Sequence, residues 1–355
     1  MEEPKPGHCR PHAESLGDLV GEPTQAIDRI ASFIQYVRDT SEGWHEEDRR
    51  DRNDDEEDVL KAERIVGQVW YRGQPDCRRS LRPGLYRPET MGPLFKPGPT
   101  QADGTKVFEA LIDLEHELRI DFTSYGHLLN PLGYAKTPID WYFLMQHHRI
   151  PTRLLDWTTN ALAALFFALE GYQRRMQDRE RIHENSVNPS QSASESEASE
   201  DHLAVWMVDA YWLAGRLSDE WDAPLLPWSE EASRYLPALE QLLENGRASK
   251  KLIPEDAMPI EPPAMHPRVA AQEGRFIIFG QKQDLLEHKI YRERESDCQL
   301  EKARIVQIPF VVGDNVDALF DELAHLGVSR RTLFPDLDGL AKFVRWKHFS
   351  RGRRP

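Results

Sequence analysis

The chain predicts an α+β fold with a single mixed core domain, and three observations carry that prediction. Short runs rich in β-branched and aromatic residues, at 65–74, 203–208, 276–279 and 303–310, read as strands that end within ten residues. Other stretches repeat apolar residues at three- and four-residue intervals and read as helices: Ile27, Ile30, Phe33, Ile34 and Val37, then Phe108, Leu111, Leu114, Leu118 and Phe122. The two kinds of element do not alternate strand, helix, strand, which excludes a doubly wound nucleotide-binding fold.

Taken in order, residues 1–24 are polar and Pro-containing and read as disordered. Residues 25–64 hold the first amphipathic helix and a linker that is almost wholly Asp, Glu and Arg over 46–57. The core domain spans 65–349. Its first strand ends at Gly73, placing Arg72 where a rigid element gives way to a loop, with Tyr71 and Gln74 beside it. Leu81, Pro83, Leu85 and Arg87 follow in an extended segment, and a long helix covers 105–122.

The densest cluster of chemical side chains lies at 146–160, from Gln146, His147 and His148 through Thr152, Arg153, Asp156, Trp157 and Thr158 to Asn160. Upstream, Trp141, Leu144, Met145 and His148 fall at helical spacing behind Pro138, with Thr137 placed to cap that helix and Pro151 to stop it. Downstream, residues 161–169 are apolar on every face and read as a buried helix that stops at Gly171. The stretch between is expected to be a polar turn pinched by two buried helices, with Asp156 or Thr158 capping the second. That helix start, flanked by Arg153, is a site for an anion such as phosphate or pyrophosphate. A structural role is the alternative, in which Arg153 and Asp156 form an ion pair inside the core.

Beyond Gly171 the apolar pattern is lost, and residues 174–202, with Ser/Glu low-complexity sequence over 189–200, are expected to be a disordered insertion. A strand at 203–208, a short helix opening near Pro237 with Leu239, Leu242 and Leu243 on one face, and a Pro-rich passage over 254–267 follow. Residues 270–280, with Gln272, Glu273 and Gly274, then read as a turn followed by a strand. The strand at 303–310 precedes a helix at 315–326 with Gly327 at its stop, and 335–349 is expected to be helical with Leu337, Leu340, Phe343 and Val344 facing inward.

The formal charge of −15 argues against a general nucleic-acid binder, since such binding rests on Lys and Arg neutralising phosphates. The basic run at 345–354 is a local exception. Cys9, Cys77 and Cys298 are far apart and leave an odd thiol, and the chain shows neither a signal peptide nor an apolar run long enough for a membrane, so a cytoplasmic location is expected. His8 and His12 have zinc-site spacing, with Cys9 beside them, but Pro11 opposes a helix there, and His147 and His148 project about 100° apart on a helix, so no metal site is expected. Phosphate loops, Gly-rich dinucleotide turns and nucleophile elbows are missing from the sequence.

The Tyr71-Arg72-Gly73-Gln74 motif, the Leu81, Pro83, Leu85 and Arg87 segment, the Gln146-His147-His148 and 151–158 stretches and the Ala164-to-Ala168 run resemble the FRG domain family, named for its Phe/Tyr-Arg-Gly motif. Gln272, Gly274, Phe276 and residues 333–337 are similar to the end of the same domain, so the resemblance covers roughly 66–344. It implies a bacterial or phage-related protein and little chemistry, because the family lacks a well-established activity. A strand ending in Tyr-Arg-Gly is also similar to the first motif of Arg-Ser-Glu type ADP-ribosyltransferases. That likeness implies that Arg72 holds the NAD phosphates and that Glu273, beside Gln272, is the acidic residue; Thr152 or Thr158 with Thr159 stands in for the missing Ser-Thr-Ser strand.

The expectation is therefore a nucleotide-binding, NAD-dependent ADP-ribosyltransferase acting on a protein or nucleic acid. Arg72 and Glu273 are its catalytic residues, and Tyr71, Gln74, Gln146, His147, Thr152, Arg153, Asp156, Trp157, Thr158 and Gln272 form the ligand site. In it, Arg72 and Arg153 neutralise the pyrophosphate, Trp157 or Tyr71 stacks on a ring, and Glu273 stabilises the oxocarbenium-like centre. The alternatives are a recognition module that grips a phosphorylated or nucleotide ligand without turnover, and a buried polar network that fixes the core.

Overall fold

The computed structural model describes residues 27–50, 69–87, 104–130, 133, 135–185, 202–218, 220–236, 253–263, 266–282, 286, 304–313 and 316–350. Within them six strands form one antiparallel sheet: β1 (Val69–Gln74), β2 (Leu154–Thr158), β3 (His202–Asp209), β4 (Met258–Ile260), β5 (Gly274–Ile278) and β6 (Ile305–Val311), in the order β4-β5-β2-β1-β3-β6. With helices packed around it, the fold is α+β. A single β-bridge covers each edge of the sheet, Ile27 to Phe310 on β6 and Leu225 to Ile260 on β4, which blunts the open rows of backbone groups.

The sheet is unevenly knitted. β1 meets β3 at six register positions and β2 meets β5 at five, yet β1 and β2, the two central strands, pair only at Tyr71 and Thr158. Beyond that pair the Arg72 side chain replaces the missing ladder, donating from Nη1 to the Asp156 carbonyl at 2.5 Å.

Helix α1 (Ile30–Arg50) buries Ile30 and Phe33, α2 (Gly104–Gly126) buries Phe108, Leu111 and Ile112, and α3 (Pro138–His147) starts in a capping box between Thr137 and Asp140, with Pro138 in its first turn. Helix α4 (Ala161–Asn185) crosses β1, β2 and β3 and is the centre of the packing. Ala164 and Ala168 let it come so near β1 that a Cβ on Gly73 would lie 1.9 Å from the Ala164 carbonyl oxygen. The glycine of the Tyr-Arg-Gly motif is therefore required by helix contact, not by a turn.

Five expectations are corrected here. The 151–160 stretch is not a turn: Leu154 to Thr158 form strand β2, and Asn160, neither Asp156 nor Thr158, caps α4 by accepting from the Ala163 amide at 3.0 Å. Helix α3 ends before Pro151, at His147, where Arg149 with φ 64° reverses the chain. Gly171 does not stop α4, which runs on to Asn185; the glycine makes room for Pro75, whose Cβ would lie 2.9 Å from a Cβ placed there. Residues 174–185 of the expected insertion are thus helical, and Arg175 pairs with Asp76 at 2.6 Å, while 186–201 lie outside the described residues.

The rest of the chain supplies α5 (Ala210–Leu217), capped by Asp209, α6 (Glu230–Tyr235), α7 (Pro267–Ala271), α8 (Val316–His325), α9 (Arg330–Leu333) and α10 (Leu337–Arg345). The expected helix near Pro237 lies outside the described residues. Gly327 adopts φ 87° after α8, as a helix stop requires. In α10 the expected inward face holds only at Phe343, which is half-buried, while Leu337, Leu340 and Val344 are exposed. The helix docks through Gly339, where a Cβ would meet the Phe334 carbonyl oxygen at 2.2 Å, and is followed by the half-buried Trp346, which packs on the core. Among the described residues no helix is long and apolar enough to cross a membrane.

Candidate functional site

Where β1 and β2 part, a cleft of about 570 Å³ opens. The strands contribute Tyr71, Arg72 and Gly73 from one side and Asp156, Trp157 and Thr158 from the other. The end of α3 adds Gln146, His147 and Arg149, α4 adds Phe167, Glu170 and Arg174, and Arg87, Arg268, Gln272 and Phe334 complete the walls. Five arginines line the cleft against two carboxylates, and Asp336 pairs with Arg268 from just outside it, so a smaller positive balance remains within an acidic protein.

Arg72 is mostly buried on a central strand. Burial lowers its pKa to about 10, with Asp156 opposing and Arg87 adding to the fall, so it stays a cation at neutral pH. Its Nε is buried and makes no hydrogen bond, and the indole Nε1 of Trp157 is likewise buried without one. Two donors of cleft residues therefore lack a protein acceptor. Buried donors left so cost about 1–3 kcal/mol each.

Asp156 is held in place. Both of its carboxylate oxygens accept from Gln146 Nε2 at 2.9 Å, and Gln146 Oε1 accepts from the Thr152 hydroxyl at 2.5 Å. Thr152 itself is fully buried and acts only through Gln146. On the cleft wall, the His147 ring lies 4.1 Å from that of His266. Its pKa falls to about 3, first through burial and then through His266, Arg268 and His148, so it is neutral at physiological pH. Tyr71, also buried, keeps its phenol protonated, with a pKa raised to about 12.

Other expected site residues do not enter the cleft. Arg153 is fully buried beneath it. Its Nε donates to both oxygens of Glu115 at 3.1 and 3.0 Å, Nη1 to the Phe279 carbonyl at 2.8 Å and Nη2 to the Tyr235 carbonyl at 2.6 Å. Burial works against its charge, but Glu115, then Tyr142 and Tyr86, more than reverse that, and its pKa rises. Arg153 therefore belongs to the buried-network alternative, with Glu115 and not Asp156 as its partner. Gln74 is also buried, accepting from Trp206 Nε1 at 2.9 Å and tying β1 to β3.

Glu273 is absent from the cleft walls as well. It occupies a tight turn at φ 47° between α7 and β5, and its carboxylate accepts from Thr159 Oγ1 at 2.9 Å and Asn160 Nδ2 at 3.1 Å, clamping that turn to the start of α4. Gln272 does line the cleft, although its Nε2 is engaged with the Leu333 carbonyl at 3.0 Å. Thr158 donates to the Gln272 carbonyl at 2.6 Å. The acids of the cleft are Asp156 and Glu170.

Arg149, Arg174, Arg268, Glu170, Phe167 and Phe334 were not foreseen as site residues. Glu170 and Arg174 are four apart and paired at 3.1 Å, a helical signal that the expected stop at Gly171 concealed. Arg87 appeared only within the family motif. Arg149 carries a local signal of a different kind: a non-glycine residue at positive φ beside the site. Among the described residues no group of three or more His, Cys, Asp or Glu could hold a metal ion.

Residues 67–178 match the family model of the FRG domain. The match spans β1 to the middle of α4 and takes in Arg72, Arg149, Asp156 and Glu170, leaving Arg268, Gln272 and Phe334 of the cleft beyond its end. No curated protein and no solved structure matches the chain.

Proposed function

We propose that the FRG domain of this chain binds a nucleotide, through its phosphates, in the cleft between β1 and β2. The observation that carries this is a cleft walled by five arginines, Arg72, Arg87, Arg149, Arg174 and Arg268. Guanidinium groups grip phosphoryl oxygens in planar, charge-assisted pairs. Tyr71, Trp157, Phe167 and Phe334 offer aromatic surface for a base, and Asp156 offers a fixed acceptor for ribose hydroxyls or an exocyclic amine. The cleft volume falls within the range of about 300–1,000 Å³ usual for small-molecule sites.

ADP-ribosyl transfer from NAD is the second reading, favoured by a carboxylate standing beside the phosphate-binding arginines. That carboxylate is Asp156, since Glu273 is engaged outside the cleft. In such a transfer the bond from ribose to nicotinamide breaks, nicotinamide leaves with the bonding pair, and an acceptor oxygen or nitrogen bonds to the ribose carbon and gives up its proton. Asp156 would stabilise the cationic ribose between the two events.

Thermal unfolding in the presence of ADP, ATP, NAD and inorganic phosphate tests binding. A nucleotide at about 100 times its Kd adds about 2.7 kcal/mol, a rise of roughly 5–10 °C in a domain this large. If none of the nucleotides raises the transition, the proposal is lost. Release of nicotinamide from NAD, abolished by Asp156→Asn, separates transfer from binding alone.

A further inference from the structure

Helix α4 has a second face that shares only Glu170 with the nucleotide site. Phe167 lines the cleft, but its neighbour Phe166 lines another cavity, of about 530 Å³, between α4, α8, α9, α10 and the turn that follows α10. Five aromatic rings build it: Phe166 and Phe320 meet edge to face at 5.4 Å, Phe343 and Trp346 lie 5.8 Å apart, and Phe349 stands exposed beside them. Glu170, Arg330, Lys342 and Arg345 supply its charges. Glu170 pairs with Arg330 as well as with Arg174, so no acid of the cavity is left to offset Lys342 and Arg345, both on exposed positions of α10, which set the sign of the rim.

We infer that this cavity binds a small amphipathic anion, an apolar body carrying one carboxylate or sulfonate. Protein interiors pack to crystal-like density, and a void of this size lined by aromatic rings gives up the contacts those rings would otherwise make. Water finds partners at Gln173, Ser329 and the charged rim but few along the five rings. An apolar guest restores the contacts. The rim then chooses the head group: Lys342 and Arg345 attract an anion and repel a cation. Lys342 already reaches Asp338 at 2.7 Å, but an ammonium has three donors, so it can serve both.

The probe is 8-anilinonaphthalene-1-sulfonate, whose fluorescence rises on entering an apolar site, added to the full chain with dodecanoate and dodecylamine as competitors. Saturable binding to one site is expected, displaced by dodecanoate and not by dodecylamine. Reversing the rim with Lys342→Glu and Arg345→Glu should weaken dye affinity at least about ten-fold; both side chains are exposed, and circular dichroism checks that the variant is folded. Because the nucleotide cleft is also cationic, Arg72→Lys serves as the control and should leave dye affinity unchanged. The inference is overturned if rim reversal changes the affinity less than two-fold, if dodecanoate fails to displace the dye, if binding does not saturate, or if Arg72→Lys releases the dye where rim reversal does not.

Discussion

Replacing Glu115 with Ala should be among the most damaging single changes in the molecule, although Glu115 touches no part of the cleft. It would leave the guanidinium of Arg153, fully buried, with just two carbonyl partners, those of Phe279 and Tyr235, and no counter-charge. The Tyr142 hydroxyl, which donates to Glu115 and accepts from the Arg153 amide, would lose its acceptor in the same step. Removing one partner of a buried pair costs about 3–5 kcal/mol, and at roughly 2–4 °C per kcal/mol in a domain of this size the transition should fall by about 6–20 °C. Equilibrium urea unfolding supplies the free energy and calorimetry the temperature. Replacing both partners, Glu115→Met with Arg153→Met, removes the Arg153 charge and should recover part of the loss, the buried Arg119 beside Glu115 still lacking its acid. At temperatures where Glu115→Ala remains folded, nucleotide affinity should be unchanged. A loss below about 1 kcal/mol would refute the buried-pair account, and a selective loss of nucleotide affinity would return Arg153 to the ligand site.

Three further outcomes are expected. Gly73→Ala pushes a methyl group into the Ala164 carbonyl, a backbone atom in a buried helix that cannot move aside cheaply, so it should destabilise by at least about 3 kcal/mol in urea unfolding, the upper end of ordinary overpacking; a change under about 1 kcal/mol would mean that α4 shifts freely. Arg72→Lys keeps the charge but loses the planar fork, so nucleotide affinity should drop on the order of ten-fold in a titration while stability changes by about 1 kcal/mol or less; equal affinity would remove Arg72 from the phosphate grip. The pKa of His147, lowered from 6.5 to about 3, makes the unfolded chain bind more protons than the folded one between those values, so its contribution to stability is complete above pH 6.5 and is lost as pH falls toward 3. His147→Gln should therefore show a shallower loss of urea stability between pH 7 and pH 5 than the unaltered protein, and parallel slopes would contradict the buried, neutral ring.

Parts of the architecture were legible because they depend on residues adjacent in sequence. Thr137, Pro138 and Asp140 make a local capping unit, and Gly327 takes a positive φ that few other residues accept. The Tyr-Arg-Gly strand and its family were legible for the same reason. The cleft was half legible. Arg72, Tyr71, Gln146, His147, Asp156, Trp157, Thr158 and Gln272 were singled out and all line it, whereas Arg153, Thr152, Gln74 and Glu273 were singled out for the same polar character and do not.

What the sequence by itself determined, then, is the elements with a strong local pattern, β1 and the capped start of α3 among them but not β2, and the identity of the chain's polar cluster, both properties of neighbours along the backbone. Which member of the cluster meets a ligand was decided in three dimensions. Arg153 and Asp156 are three residues apart, and in a strand an odd separation sends side chains to opposite faces; once β2 paired with β5, one entered the core against Glu115 and the other the cleft against Arg72. The same holds at a distance for α10, where leucines at helical spacing look inward by pattern but face solvent, because Gly339 alone lets the helix approach the Phe334 carbonyl. Side-chain chemistry is written residue by residue, but burial is a property of the partner surface, and the partner lies many residues away.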